Sequence, residues 1–211
     1  MKTTLAVAVL VAWAGNLAAQ ELRSGLVALG VPTRVRTQVP GSAEVLSATA
    51  LGVEGALSVD RWRVELAYIE GAGTTDSAGT TSRAVVEGRA LLGFRPRPWL
   101  ELRAGVHARS YAVTGGTLRW LFWELRARGE APFIGTAATG YGELWRALVA
   151  DVNIPERFDH AQGGEAGMVL RLARAPLQAR IGYRIDHLAF GGGTRLETVD
   201  GVVIGVGVGA R

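Results

Sequence analysis

The stretch WLELRAGVHARSYAV, from Trp99 to Val113, decides the fold. Its even positions carry Leu100, Leu102, Ala104, Val106 and Ala108, and its odd positions Glu101, Arg103, His107, Arg109 and Tyr111. Only a β-strand turns such a two-residue period into two chemically opposite faces. The run is long for a soluble strand, usually about 5 or 6 residues. It is long enough for a tilted membrane-spanning strand, which needs roughly 9 to 11.

The same alternation recurs upstream. Gly25 to Val39 sets Val27, Leu29, Val31, Thr33, Val35 and Thr37 against Arg34, Arg36 and Gln38. Pro32 in this run predicts an edge-like or bulged start, because proline cannot donate to a ladder. Val39-Pro40-Gly41-Ser42 turns the chain into Ala43 to Val59, where Val45, Thr49, Leu51, Val53 and Leu57 oppose Glu44 and Glu54. Asp60-Arg61 reverses it into Trp62 to Gly71, with Trp62, Val64, Leu66 and Tyr68 opposite Arg63 and Glu65. Gly71 to Ser82 is rich in Gly, Ser and Thr and reads as a loop. Arg83 to Arg95 then sets Ala84, Val86, Ala90, Leu92 and Phe94 against Arg83, Glu87, Arg89 and Arg95, and Pro96-Arg97-Pro98 turns the chain into the opening strand.

Downstream, a loop at Thr114 to Thr117 leads into Leu118 to Gly129, where Leu121, Trp123, Leu125 and Ala127 oppose Glu124, Arg126 and Arg128. The segment RWLFWELRARGE, residues 119 to 130, also suits a helix, since Glu, Leu and Arg favour one. Thr136 to Val149 has no assignable facing, because Glu143 and Arg146 fall on opposite faces in either phase. Asp151 to Gly164 reads as a second long loop, polar and broken by Pro155. Glu165 to Arg174 alternates Ala166, Met168, Leu170 and Leu172 with Glu165 and Arg171. After Ala175-Pro176, Leu177 to Phe190 sets Leu177, Ala179, Ile181, Tyr183 and Ile185 against Gln178, Arg180, Arg184 and Asp186. Gly191 to Gly193 precede the last strand, Val199 to Ala210, with Val202, Ile204, Val206 and Val208 on one face and Gly205, Gly207 and Gly209 on the other.

Residues 1–19 read as a secretory signal: Lys2, an apolar stretch from Leu5 to Ala14, and Leu17-Ala18-Ala19 before Gln20. Residues 20–211 then form one domain. The chain has no Cys, so disulfides and thiolate metal sites play no part. Its net charge of +4 falls to +3 without Lys2, too mild a value to imply nucleic acid. Lys2 is its only lysine, and the remaining basic residues are all Arg, whose planar fork suits crowded ion pairs with carboxylates.

These segments make an all-β chain: an antiparallel, up-and-down transmembrane β-barrel of about ten strands, with eight as the alternative count. Links after even-numbered strands are mostly short, whereas those after the third, seventh and ninth are longer. This asymmetry resembles the small bacterial outer-membrane β-barrel proteins, and the resemblance covers essentially the whole mature chain. It implies an outer-membrane location, short periplasmic turns and longer outer loops. One departure is the C-terminus, Gly209-Ala210-Arg211, where many such barrels end in an aromatic residue used by the insertion machinery. A soluble lipocalin-like barrel is the same pattern turned inside out. The polar faces here are Arg, Glu and Gly, while Trp62 and Phe94 sit on the apolar face beside turns, where an aromatic girdle belongs.

The expected lipid-facing set is Trp62, Val64, Leu66, Tyr68, Val86, Leu92, Phe94, Leu102, Val106, Ile181, Tyr183 and Val206. The expected lumen charge network is Arg63, Glu65, Arg83, Glu87, Arg89, Glu101, Arg103, Arg109, Glu124, Arg126, Glu165, Arg171, Arg180, Arg184 and Asp186. No phosphate-binding loop, dinucleotide fingerprint or hydrolase signature appears, and no cofactor is implied. Asp186 and His187 are adjacent in a strand and so point to opposite faces. His107 and Asp186 share the lumen phase and are the weak catalytic candidates, as base and orienting carboxylate, although no nucleophile stands at a recognisable spacing. Asp151, Asn153, Glu156 and Asp159 are weak Ca²⁺ candidates whose spacing matches no known loop. The expected function is a structural or partner-binding role, with an extracellular ligand or protein met through loops 71–82 and 151–164. The alternatives are an outer-membrane hydrolase using His107, and a soluble secreted barrel carrying an apolar ligand.

Overall fold

The computed structural model describes residues 22–75, 83–113, 116–135, 137–172 and 174–209. The signal reading of residues 1–19 and the last two residues of the C-terminus lie outside them. Ten antiparallel strands close into a barrel, each paired with its sequence neighbours and the first with the last. They are β1 (Leu22–Val39), β2 (Ser42–Val59), β3 (Trp62–Thr75), β4 (Arg83–Arg97), β5 (Leu100–Val113), β6 (Gly116–Ile134), β7 (Ala138–Val152), β8 (Phe158–Arg171), β9 (Leu177–Phe190) and β10 (Arg195–Gly209). The segment 119–130 is strand and not helix, because both its faces are consumed: Trp120, Phe122, Glu124 and Arg126 are buried inside, and Leu121, Trp123 and Leu125 are exposed outside.

The two ends of the described chain share one end of the barrel, here the lower end, with the links 60–61, 98–99, 135–137 and 172–176. The upper end carries 40–41, 153–157 and 191–194, together with the strand ends Thr75, Arg83, Val113 and Gly116. The 151–164 loop is therefore a correction. Both strands run far into it, leaving only 153–157 between them, and Ala161 is buried against the lumen core. Glycines at 163 and 164 hid the alternation. A Cβ at Gly163 would meet Asp186 Oδ1 at 2.3 Å and Trp145 Nε1 at 2.6 Å, so this strand yields its inward space to large neighbours. Similarly, Gly71 to Thr75 belong to β3, and the rest of the expected 71–82 loop lies outside the described residues. Pro32 makes no bulge: the β1–β10 ladder is interrupted between Gly30 and Thr33 and resumes in the same register.

β7 carries a bulge near its upper end, above Glu143 and Arg146. Glu124 faces Ala147 while Trp123 faces Val149, which leaves Leu148 as the extra residue. Below the bulge Tyr141, Glu143 and Trp145 point inward and Arg146 outward.

One row of paired residues runs Leu22, Val59, Trp62, Phe94, Leu102, Ala127, Leu144, Gly164, Ile185, Asp200 and returns to β1 at Arg34, twelve residues beyond its start. A stagger of that size over ten strands tilts them by about 40°. On the exterior, Leu51, Leu66, Leu92, Leu102, Leu144, Ile181 and Ile204 form an exposed apolar belt. Exposed Trp62, Trp99 and Phe133 and half-exposed Phe94 edge it below, and Tyr68, Trp123 and Tyr183 edge it above. From Trp62 to Glu70 on β3 the belt spans roughly 20 Å of barrel axis, at about 3.3 Å per residue and that tilt. With its aromatic edges and polar interior, this is the architecture of bacterial outer-membrane barrels, whose apolar band is about 25 Å tall.

The barrel inverts its polarity along its length. Above the belt the outward residues include Arg34, Ser47, Glu70, Ser110, Arg119, Asp151, Gln162, His187 and Asp200. At the same level the lumen is filled by Val35, Leu46, Val85, Tyr111, Leu118, Trp120, Phe122, Leu188, Phe190 and Val199, which form one apolar cluster. Within the belt the arrangement reverses, with charge inside and hydrocarbon outside. β1 is the exception, since Val27, Leu29 and Val31 pack inward on Ala50, Ile69 and Val203. Its apolar phase faces the lumen because Arg34 and Arg36 take the outward positions higher up the same strand.

Candidate functional site

The chemistry of this barrel is concentrated in its lumen. The strand period aims one residue in two inward, and the tilt brings side chains of non-neighbouring strands to one level. Eight carboxylates, Glu54, Glu65, Glu87, Glu101, Glu124, Glu143, Glu165 and Asp186, meet nine guanidiniums, Arg63, Arg89, Arg95, Arg103, Arg109, Arg126, Arg128, Arg180 and Arg184. The pairs form two groups, which meet at His107 between Glu124 and Glu87. Glu165 binds Arg180, which reaches Glu54 at 3.1 Å, and Arg89 lies 3.5 Å from Glu54 and 3.2 Å from Glu65. Arg103 joins Glu65 and Glu143, each at 3.2 Å, and also holds Glu101 at 2.7 Å. Arg126 links Glu143 at 2.6 Å to Glu124. Arg109 bridges Glu87 at 2.8 Å and Asp186 at 2.6 Å, while Arg184 adds a second contact on Glu87 at 2.7 Å.

Aromatic faces carry part of the guanidinium charge. Arg128 lies 4.0 Å and Arg180 5.2 Å from the Tyr141 ring centroid, and Arg109 lies 4.7 Å from that of Trp120. Tyr141 also donates its hydroxyl to Glu165 at 2.6 Å. Trp120 and Phe122, with centroids 4.3 Å apart, begin the apolar plug, which continues through Phe158 to Phe190. Near the top of the plug, buried Glu197 accepts the Tyr111 hydroxyl and, at 2.8 Å, Arg195 Nε.

His107 and Asp186 do not form the expected dyad. His107 Nδ1 lies 3.2 Å from Glu124 Oε2 and Nε2 lies 3.3 Å from Glu87 Oε1. Asp186 is taken by Arg109 and by the Trp145 indole N–H at 2.8 Å. The imidazole is almost fully buried beside Trp120, Phe122 and Trp145, with ring centroids 5.8 to 6.1 Å away. This is a structural histidine that bridges two carboxylates. His187 faces outward beside Thr198.

The Ca²⁺ candidates are also separated by their partners. Asn153 Oδ1 accepts the Arg119 N–H at 2.6 Å, and its amide donates to Thr117 O at 2.8 Å. Asp159 Oδ2 accepts the Gly192 and Gly193 N–H groups at 2.7 and 3.3 Å. Asp151 is exposed on the outer wall, and Glu156 packs by Gly191. Among the described residues no group of three metal-ligating side chains occurs.

Of the other expected network members, Arg171 is exposed at the lower mouth, where it donates to Thr139 Oγ1 at 2.8 Å, and the Arg83 side chain lies outside the described residues. Sequence reasoning missed Glu54, Arg95, Arg128, Glu143, Tyr141 and Trp145. Glu54, Arg95 and Arg128 already stood on the charged phase of their strands, whereas on β7 the outward Arg146 left both faces charged and hid which one is inward. The expected lipid-facing residues all lie on the outer face, with Val86, Phe94 and Val106 half-exposed and the rest exposed.

The chain matches no protein-family model and no curated protein. Among solved structures it is similar in outline to Neisserial surface protein A, with 10% identity and a TM-score of 0.38, covering 89% of this chain and 96% of that one. The translocator domain of the autotransporter NalP from Neisseria meningitidis gives 10% identity and a TM-score of 0.45, with coverage of 96% and 94%. Ail, the attachment invasion locus protein of Yersinia pestis, gives 9% and 0.39, with coverage of 89% and 98%. At this distance none of them bears on what the chain binds.

Proposed function

We propose that the chain is a closed, non-conducting barrel of the outer membrane that acts through its upper rim, as a structural element or a receptor for a surface partner. The observation that carries this reading is the filled lumen. Two groups of ion pairs, which meet at His107, occupy the belt, and an apolar plug lies above them. An interior cavity of about 20 Å³, beside Glu54, Arg89 and Arg180, has room for about one water. A general pore needs an aqueous path, and both layers oppose one. Link 153–157 is the described segment offered to a partner, with the termini directed to the periplasm as in other barrels of this class. The soluble alternative would leave the whole belt in water, far above the few hundred Å² of contiguous apolar surface usual for a soluble monomer. Purified protein in a planar bilayer is expected to give no steady current. A stable, ohmic conductance from the unmodified chain would overturn the proposal.

A further inference from the structure

Along a row of paired residues, from β1 towards β10, each strand stands about 3 Å higher on the barrel axis than the one before it, and each residue along a strand adds about 2.5 Å. On that scale the Arg146 Cα lies about 2 Å above the Tyr68 Cα, at the upper edge of the belt. Arg146 is exposed on the outer wall, with exposed Leu144 below it and exposed Leu148 and Val149 above it on β7, and exposed Leu125 opposite it on β6. None of these side chains can accept a hydrogen bond, and Arg146 has no ion pair among the described residues. Its row continues to Gln162 on β8 and from there to His187 on β9. Both are exposed, and they stand about 5 and 8 Å above the Tyr68 Cα. His187 Nδ1 lies 3.2 Å from Thr198 Oγ1 on β10. The flanking carboxylate, Asp200, accepts the Tyr183 hydroxyl at 3.0 Å and stands opposite Arg34. The interval from Arg146 to His187 is the headgroup level, since the Tyr68 and Tyr183 hydroxyls reach up into it, to Glu70 and Asp200.

We infer that Arg146, Gln162 and His187 together hold the phosphate of an anionic lipid in the upper leaflet. An arginine set among hydrocarbon at a membrane surface must find an anion there or extend to water. Straight up its own strand Arg146 meets only Leu148 and Val149, whereas along its row it meets two further donors. The three Cα atoms span two strand spacings, about 10 Å, so their side chains can converge on one phosphate. The guanidinium fork bonds two phosphate oxygens, and the Gln162 amide donates to one of them. With Thr198 donating to Nδ1, the His187 proton sits on Nε2 and supplies the third donor. Leu144 and Ile185, directly below Arg146 and His187, give the acyl chain a hydrocarbon wall. The row contains no carboxylate, so the ammonium of a zwitterionic headgroup finds no partner in it and a lipid of net negative charge is preferred. The site goes beyond the role proposed for the upper rim and does not depend on it.

The test uses the full chain in detergent. Native mass spectrometry counts lipids retained from phosphatidylglycerol, phosphatidylethanolamine and diacylglycerol of equal chain length. The unmodified protein is expected to retain phosphatidylglycerol in preference to the other two. Arg146→Gln should weaken that retention about tenfold, the factor for one charge-assisted hydrogen bond, and His187→Phe about fivefold. Arg146→Lys should cost less than Arg146→Gln, because the charge stays and only the fork is lost. Arg119→Gln, about 14 Å above the Tyr68 level, should leave retention unchanged. Heat-modifiable gel mobility checks that each variant is folded, and Gln162→Leu with His187→Phe carries the test if Arg146→Gln fails to fold. Equal retention of phosphatidylglycerol and phosphatidylethanolamine by the unmodified chain would overturn the assignment. So would no retained lipid, a folded Arg146→Gln variant that binds as the unmodified chain does, or an equal loss from Arg119→Gln.

Discussion

Replacing Glu65 by Ala removes the carboxylate on which three strands converge. Glu65 is almost fully buried, and it accepts from Arg89 and Arg103, each at 3.2 Å, with Arg63 at 3.5 Å. Two charge-assisted hydrogen bonds at about 1.5 to 3 kcal/mol each give a gross loss of roughly 3 to 6 kcal/mol. Part of this is recovered. Arg103 keeps Glu101 and Glu143, and Arg89 keeps Glu54, whereas Arg63 is left with Glu101 at 3.8 Å. The net destabilisation expected is about 3 kcal/mol, at the low end of the cost of breaking a buried pair. Equilibrium refolding into lipid vesicles across a urea series, followed by tryptophan fluorescence, measures it. Adding Arg89→Ala to the same chain should cost less than its effect alone, because the guanidinium it removes has already lost its nearer partner. A Glu65→Ala variant within about 0.5 kcal/mol of the unmodified protein would refute the network as a source of stability.

Three other outcomes follow from the layers of the barrel. Ile181→Arg, in the middle of the belt, should cost roughly 2 to 4 kcal/mol in the same vesicle assay. His187→Arg, three outward positions higher on the same strand, should cost under about 0.5 kcal/mol; equal costs would remove the belt. Phe122→Ala, at the centre of the plug, should destabilise by about 3 to 5 kcal/mol and still give no bilayer current, because the ion pairs beneath it remain. Single cysteines distinguish the ends: Arg157→Cys should react with an impermeant reagent on intact cells and Arg97→Cys should not, and Ala161→Cys should stay unlabelled because its side chain is buried in the lumen.

The legible parts of the sequence were those where one face is charged and the other hydrocarbon. β5 and β9 satisfy this over most of their length, which is why Glu101, Arg103, Arg109, Arg180, Arg184 and Asp186 were placed in the lumen from periodicity alone. Three physical causes concealed the rest. Outward Arg146 and inward Glu143 put a charge on each face of β7, so its alternation did not show which face is the lumen. Glycines that make room for Trp145 and Asp186 left β8 without an inward pattern, so a strand looked like a loop. Partner choice is not encoded in period at all. His107 and Asp186 share a face, yet Arg109 and Trp145 reach the aspartate, and two glutamates reach the histidine.

The inversion of polarity also explains why alternation alone left the soluble reading open. On a single strand such as β6, Trp120 and Phe122 point inward beneath outward Arg119, whereas a few residues on Glu124 and Arg126 point inward beneath outward Trp123 and Leu125. The upper segment has the polarity of a water-soluble barrel and the lower one that of a membrane barrel, so a single strand carries both signatures in sequence. The change occurs where solvent changes. A strand standing above the bilayer gains by hiding its apolar phase in the lumen, and one within the bilayer gains by showing it to lipid. The upper ring of Tyr68 and Tyr183 marks that level, each hydroxyl reaching up to a carboxylate, Glu70 at 2.8 Å and Asp200 at 3.0 Å. The plug and the ion-pair network are therefore two responses of one alternating sequence to two solvents, and closure of the lumen follows from both.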